Sequence, residues 1–250
     1  MFILITGNHP RHLYFVNSFA KFFPDLVWVV QNREAFIPKI DKNYNLEIQK
    51  LQKLHFRKRE EAEDNFFGNN DHIYNSPNIN KIIQINKNDI LNGRLKKLLK
   101  NVKNRNLITY GCNKLPQNLL DSIKCKYKWN VHGGLSPWYR GVITHFWPSY
   151  MLEPEYTGMT LHELTENIDG GDIIHQSISE LNTKDGIHEN ACRLVKKFSD
   201  KLPKLLKKKL NLNRKLIPIK AKTTGRIWTS RMWYPVHLKL IYKVYNNQIN

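Results

Sequence analysis

The chain is poor in cysteine, short of acidic residues, and free of long apolar runs. Its three cysteines, Cys112, Cys125 and Cys192, are odd in number, widely spaced and without metal-ligand pairing. That excludes a disulfide scaffold and a cysteine-held zinc site, and points to reduced thiols in a cytoplasmic protein. No stretch approaches the roughly 18 consecutive apolar residues of a membrane helix. The opening residues, Met1-Phe-Ile-Leu-Ile-Thr-Gly7, lack the basic n-region of a secretory signal and read as a first buried strand. Acidic residues number 21 against 40 Lys and Arg, a net charge of +19 over 250 residues. Such an excess draws phosphates, nucleic acids or anionic surfaces. The basic residues are mostly lysines, scattered along helices and dense from Lys196 to Lys222, so a generally solvated basic face accounts for them equally well.

What is present suits one sizeable core. Hydrophobic residues make up 41% of the chain, with six tryptophans, a globular composition rather than a disordered one. Residues 2–6, 26–30, 82–85, 107–111 and 129–132 read as short apolar strands. Helical spacing is evident from Pro10 to about Phe23, over the charged stretch Lys50–Phe67, over Asp89–Asn101, and again from Pro116. The mixed charges of Lys50–Phe67 predict a helix that carries them on a solvent face. Strand, helix and strand with short links predict an α/β fold with a mostly parallel sheet flanked by helices. Beyond Ile174 the apolar residues Ile187, Ala191, Leu194, Val195, Phe198 and Leu202 mark one face of a helix, which Pro203 is expected to kink or end. Leu210–Lys222 reads as a surface connection, and Thr224–Pro235, rich in aromatics and arginine, as a turn-and-packing segment. Leu238–Val244 fits a closing helix or a strand. There is no internal repeat and no independent second domain. The division expected is residues 1–180 as a catalytic domain, with 181–250 as a basic, helical and aromatic extension packed on it.

The chemistry concentrates between residues 130 and 174. Asn130 and His132 are two apart, which on an extended strand puts both side chains on one face. A paired amide and imidazole supply a donor for a developing oxyanion and a group that moves protons. Asp169, at the head of a Gly-Gly loop, is the third candidate, able to orient or charge the imidazole.

These residues lie within a longer pattern: Asn130-Val-His132, Leu135-Ser-Pro137-Trp-Tyr139-Arg140-Gly141, Gly158-Met-Thr160-Leu-His162, and Asp169-Gly-Gly171-Asp172-Ile-Ile174. The stretch resembles the core of the folate-dependent formyltransferases, which include glycinamide ribonucleotide, methionyl-tRNA and sugar N-formyltransferases. The resemblance weakens outside about residues 80–180. It implies a single Rossmann-like formyltransferase domain with 10-formyltetrahydrofolate as co-substrate, no metal, and a primary amine as acceptor.

In this family Asn130 donates to the oxyanion, His132 polarises the formyl group or acts as base, and Asp169 holds His132 in the useful ionisation state. His162 is read as support for them, or equally as a satisfied core histidine. By position, Tyr110, Gly111, Cys112, Asn113 and Leu115, with Ile168 and Gly170, form the folate pocket. Asn8, His9, Arg11, Arg140, Gly141 and Thr144 are the acceptor-side candidates.

The acceptor side departs from the family. Glycinamide ribonucleotide enzymes carry a glycine-rich phosphate loop after the first strand; here Gly7-Asn-His-Pro-Arg-His12 has one glycine. A tRNA enzyme carries a further β-barrel, for which the residues after 180 are too few. Thr144-His-Phe-Trp-Pro-Ser-Tyr150 brings rings near the expected cleft, where they stack on a sugar or base or form plain core. The acceptor favoured is a nucleotide-linked, phosphate-bearing amino sugar, with glycinamide ribonucleotide or methionyl-tRNA as alternatives. A nucleic-acid-binding protein on a decayed enzyme fold is the rival from another class. Family members often pair through their C-terminal parts, which makes a homodimer an expectation by resemblance.

Overall fold

Phe2–Gly7 (β1) and Leu26–Gln31 (β2) are buried along their whole length, as parallel strands covered on both faces must be. They belong to a seven-stranded sheet seen in a computed structural model that describes residues 2–33, 37–100, 105–212, 216–221 and 225–248. The remaining strands are Ile79–Ile85 (β3), Arg105–Tyr110 (β4), Cys125–His132 (β5), Gly158–Glu163 (β7) and Ile173–Ile178 (β8). Their order is β3-β2-β1-β4-β5-β7-β8, with the first five parallel and the last two antiparallel. The two short strands Tyr139–Gly141 (β6) and Arg226–Trp228 (β9) pair in parallel outside the sheet. The expected α/β fold with a mostly parallel, helix-flanked sheet is what the chain adopts.

Strand alternation splits the core in two. Leu4, Trp28, Ile108, Trp129 and Val131 pack on one face against Pro10–Ala20 (α1) and Ile187–Asn211 (α7). Ile3, Ile5, Val29 and Leu107 pack on the other, with Lys87–Leu91 (α3), Arg94–Leu99 (α4) and Gln117–Ser122 (α5). A third cluster joins Ile48 and Leu51 of Leu46–Phe67 (α2) to Phe146, Trp147 of the short helix Trp147–Tyr150 (α6), Trp228, Trp233 and Ile241.

Three expectations need correction, and one left open is decided. The helix predicted over Asp89–Asn101 is two short helices: Asn86 and Asp89 close a capping box on the first, and Gly93 at φ +78° separates the second; Asn101 lies outside the described residues. Pro203 does not end α7 at its own position. The helix runs on to Asn211 with Phe198, Leu202 and Leu206 buried on both sides of the proline, so burial outweighs one missing backbone donor. The charged helix α2 is not simply solvent-facing, since Arg59 and Glu63 turn into a cavity. Leu240–Val244 is a short π-helical segment. In the Leu210–Lys222 connection, Ile219 bridges Ile173 antiparallel, while 213–215 and 222 are outside the described residues.

The chain winds from β1 outward through β2 and β3, then returns to place β4 on the other side of β1. Between the C-terminal ends of β1 and β4 this creates the reversal of strand order where open α/β sheets bind ligands.

Candidate active site

Strand register assembles the centre. Asn130 pairs with Thr109 of β4 on one side and His162 of β7 on the other, while His132 stands opposite Thr160. Trp129 and Val131 alternate into the α1/α7 core, which turns Asn130 and His132 to the opposite face. The Thr109 hydroxyl donates to Asn130 Oδ1 at 2.7 Å. That fixes the amide so that its nitrogen points outward.

Asp169 is where these groups meet. Its Oδ1 accepts from Asn130 Nδ2 at 3.1 Å and lies 3.5 Å from His162 Nε2. Its Oδ2 accepts from the Gly141 backbone N–H at 2.9 Å and faces His132 Nδ1 at 3.3 Å. Asp169 has φ +44°, a left-handed conformation that aspartate and asparagine tolerate better than most residues. Burial by itself would raise its carboxyl; His132, His162 and the Gly141 N–H outweigh it and bring the group down to about 2. The Asn130 amide also reaches His162 Nε2 at 3.1 Å, and His162 Nδ1 meets the Glu163 carbonyl at 2.7 Å.

His132 Nε2 lies 2.8 Å from the Tyr139 carbonyl oxygen. A carbonyl only accepts, so this nitrogen carries the hydrogen. Burial pushes His132 below the usual histidine value, against the upward pull of Asp169 and of the Tyr139 carbonyl. Each ring nitrogen thus faces an acceptor, Nε2 the Tyr139 carbonyl and Nδ1 the Asp169 carboxylate, while burial opposes the charge that donating to both would require.

A cavity of about 820 Å³ opens over these residues. Asn130, His132 and Asp169 line it, as do Tyr110, Gly111, Cys112, Asn113, Leu115 and Ile168 among the expected folate positions. The 111–115 loop is held by a reciprocal pair: Asn113 N–H donates to Gln31 Oε1 at 2.8 Å, and Gln31 Nε2 donates to Asn113 Oδ1 at 2.6 Å. Lys114 Nζ reaches the Glu166 carbonyl at 2.7 Å, tying this loop to the Asp169 loop. Burial raises both the Tyr110 hydroxyl and the Cys112 thiol to about 12, so both stay protonated. Gly170 is not in the lining; it packs under Arg140, whose Nη2 lies 2.7 Å from where a Cβ on Gly170 would stand.

On the acceptor side the structure sorts the candidates. Arg11, Gly141 and Thr144 line the cavity; Asn8, His9 and Arg140 do not. Asn8 Oδ1 takes the Arg33 backbone N–H at 3.1 Å. His9 is the residue before α1, its ring pushed down to about 4 by burial and by nearby Arg11. Arg140 is buried, donating from Nε to the Ile168 carbonyl at 2.8 Å; it braces the Asp169 loop from behind. Thr144 bonds the Gly133 carbonyl through its hydroxyl. In the 144–150 stretch, Phe146 lines the cavity, but Trp147 is buried and stacks on Trp228 at 4.4 Å between ring centres.

Sequence reasoning missed the other wall. His55, Arg59 and Glu63 of α2, His188 of α7, and Trp228 and Trp233 all face the cavity. His12 was overlooked too: its ring lies so close that a Cβ on Gly7 or Gly111 would come within 2.6 or 2.2 Å of it. The single glycine of the β1–α1 loop is thus matched to a histidine that occupies the space beside it. No group of three or more metal-binding side chains occurs among the described residues, and no helix among them is long and apolar enough to cross a membrane.

With this arrangement established, a family model described as formyl transferase matches residues 74–206, more than half of the chain. The protein belongs to the formyl transferase family. It is 37% identical over 86 residues, a third of the chain, to the bifunctional polymyxin resistance protein ArnA of Wigglesworthia glossinidia brevipalpis. It is 31% identical over 105 residues, 42% of the chain, to the methionyl-tRNA formyltransferase of Prochlorococcus marinus strain MIT 9515. The matches span 13% and 30% of those proteins' own lengths. The fold is shared with the N-formyltransferase of Helicobacter canadensis, solved with folinic acid and dTDP-3-aminofucose. That likeness has a TM-score of 0.61 at 16% identity and covers 98% of this chain and 82% of the other.

Proposed function

We propose that the protein transfers the formyl group of 10-formyltetrahydrofolate to a primary amine, and that the amine belongs to a nucleotide-linked amino sugar. The observation that carries the reaction is the convergence of Asn130, His132 and Asp169 in one cavity at the sheet's switch point. The folate side fits: an enclosed loop locked by Gln31 and Asn113 offers backbone groups beside Leu115 and Ile168. The acceptor reading draws on the aromatic wall of Phe146, Trp228 and Trp233, and on the solved relative, whose crystal holds folinic acid and a dTDP-linked amino sugar.

The co-substrate supplies an activated formyl carbonyl. Asn130, with its amide oxygen held by Thr109 and its nitrogen by Asp169, offers hydrogens in a fixed direction to an oxygen that gains negative charge. A preorganised donor of this kind is worth roughly 3–4 kcal/mol of barrier. In the resting site those hydrogens rest on Asp169 and His162, so one must be exchanged as the substrate enters. The His132–Asp169 pair, 3.3 Å apart from Nδ1 to Oδ2, takes the proton that the attacking amine loses. The adjoining carboxylate then stabilises the resulting imidazolium. Collapse of the tetrahedral adduct breaks the bond from the formyl carbon to the folate nitrogen, which takes up a proton and leaves as tetrahydrofolate.

The test is turnover of purified protein with 10-formyltetrahydrofolate and a panel of amines, read as tetrahydrofolate release. Formylation of a nucleotide-linked amino sugar is expected. Turnover with glycinamide ribonucleotide or methionyl-tRNA instead would reassign the acceptor. Silence across the panel from protein that binds no folate would overturn the reaction itself.

A further inference from the structure

The cavity has a second charged centre. Arg11 Nη1 of α1 and Arg59 Nε of α2 both donate to Glu63 Oε1, at 2.6 and 3.1 Å, and all three residues line the cavity. Two guanidiniums thus share one carboxylate oxygen on the cavity wall. Nearby His55 does not contribute charge, since burial pushes it down to about 3.

A second, independent observation lies in the same cavity lining. Trp228 and Trp233 are 5% and 6% exposed and line the same cavity, and the indole N–H of each is buried without a hydrogen-bond partner. Buried donors are nearly always satisfied, so two orphaned N–H groups in a cavity also lined by an arginine pair mark a place for an oxygen-rich anion. The position where a glycine-rich loop would present backbone amides is closed instead, because the His12 ring abuts Gly7 and Gly111.

We infer that Arg11 and Arg59, oriented by Glu63, hold the phosphoryl oxygens of the acceptor, with the indole N–H groups of Trp228 and Trp233 completing the site. The anion subsite thus lies on helix side chains and indoles rather than on a backbone cradle after β1. Planar guanidiniums suit this role, since they meet phosphate oxygens through paired N–H groups. The inference rests on the phosphate-bearing acceptor proposed above, and it names the side chains that select for it.

The experiment is titration of the full chain with dTDP, UDP and inorganic pyrophosphate, followed by calorimetry and by tryptophan fluorescence. 5-Formyltetrahydrofolate is titrated in parallel. A nucleoside diphosphate should bind, more weakly as salt rises, and should perturb the tryptophan emission. Arg59→Gln should weaken it about 10–100-fold and leave folate affinity unchanged. Trp233→Phe, which keeps a six-membered aromatic ring and removes the indole N–H, should weaken it about 2–10-fold; this second variant serves if Arg59→Gln does not fold. Binding of pyrophosphate with the same dependence on Arg59 would show that the phosphates, not the base, are what this centre reads. Diphosphates that ignore protein still able to bind folate, or that bind both variants as tightly as wild type, would overturn the subsite while leaving formyl transfer standing. Loss of folate binding in the wild type would instead strike the proposed reaction.

Discussion

Asn130 Nδ2 donates to Asp169 Oδ1 at 3.1 Å across 39 residues of sequence. An amide on a central strand and a carboxylate on a left-handed turn thereby become one unit, with His132 on the other carboxylate oxygen. Everything expected of the site follows from that junction.

Replacing Asp169 by Asn preserves shape and tolerates φ +44°, but removes the negative charge facing two histidines. Turnover is expected to fall about 10²–10⁴-fold, with the fold intact by circular dichroism and folate affinity nearly unchanged. A variant that kept most of its turnover would remove Asp169 from proton handling.

Asn130→Ala removes the donor and strands the Thr109 hydroxyl. We expect a loss of about 10²–10³-fold in kcat with little change in the acceptor KM. A rise in KM at constant kcat would mean that Asn130 binds substrate without favouring the transition state.

Gly141 sits at φ +95°, and a Cβ there would stand 2.1 Å from the Trp228 carbonyl oxygen. Gly141→Ala should therefore disrupt the β6–β9 pairing and the N–H held by Asp169. The expected cost is about 1–3 kcal/mol, a fall of several degrees in Tm for a chain of this size. An unchanged Tm would show that β9 is not tied down as described.

Acidification should destabilise the protein before its carboxylates titrate. Burial lowers His55 to about 3 and His145 to about 4, so the unfolded chain takes up protons below about pH 6.5 that the folded chain refuses. Stability is complete above that value and declines as pH falls toward 4, by about 1.4 kcal/mol per pH unit for each such histidine. Thermal melts between pH 7.5 and 4.5 test this. A flat Tm from pH 6.5 to 5 would contradict the burial of these rings.

The parallel strands and the Asn130/His132 face were legible because they depend on local spacing: a two-residue period for the strands, and ordered short motifs for the site. Asp169 was legible only because it belongs to such a motif. Asn8, His9 and Arg140 carried the right chemistry at suggestive positions, yet point elsewhere. His9 sits at the start of α1 without a side-chain capping bond and outside the cavity lining, and Arg140 braces a loop through Ile168. Nothing local tells a binding arginine from a bracing one.

The sequence by itself determined the α/β class, the strand that bears the amide and imidazole, and the family's motif order, because hydrophobic period and side-chain chemistry are written residue by residue. Only the tertiary structure decided the second wall of the cavity. Arg11 and Glu63 lie 52 positions apart, and His55 meets Tyr242 across 187. Their meeting depends on how α1, α2, α7 and the C-terminal aromatic segment pack over the sheet, and that packing is set by total buried surface rather than by any short pattern.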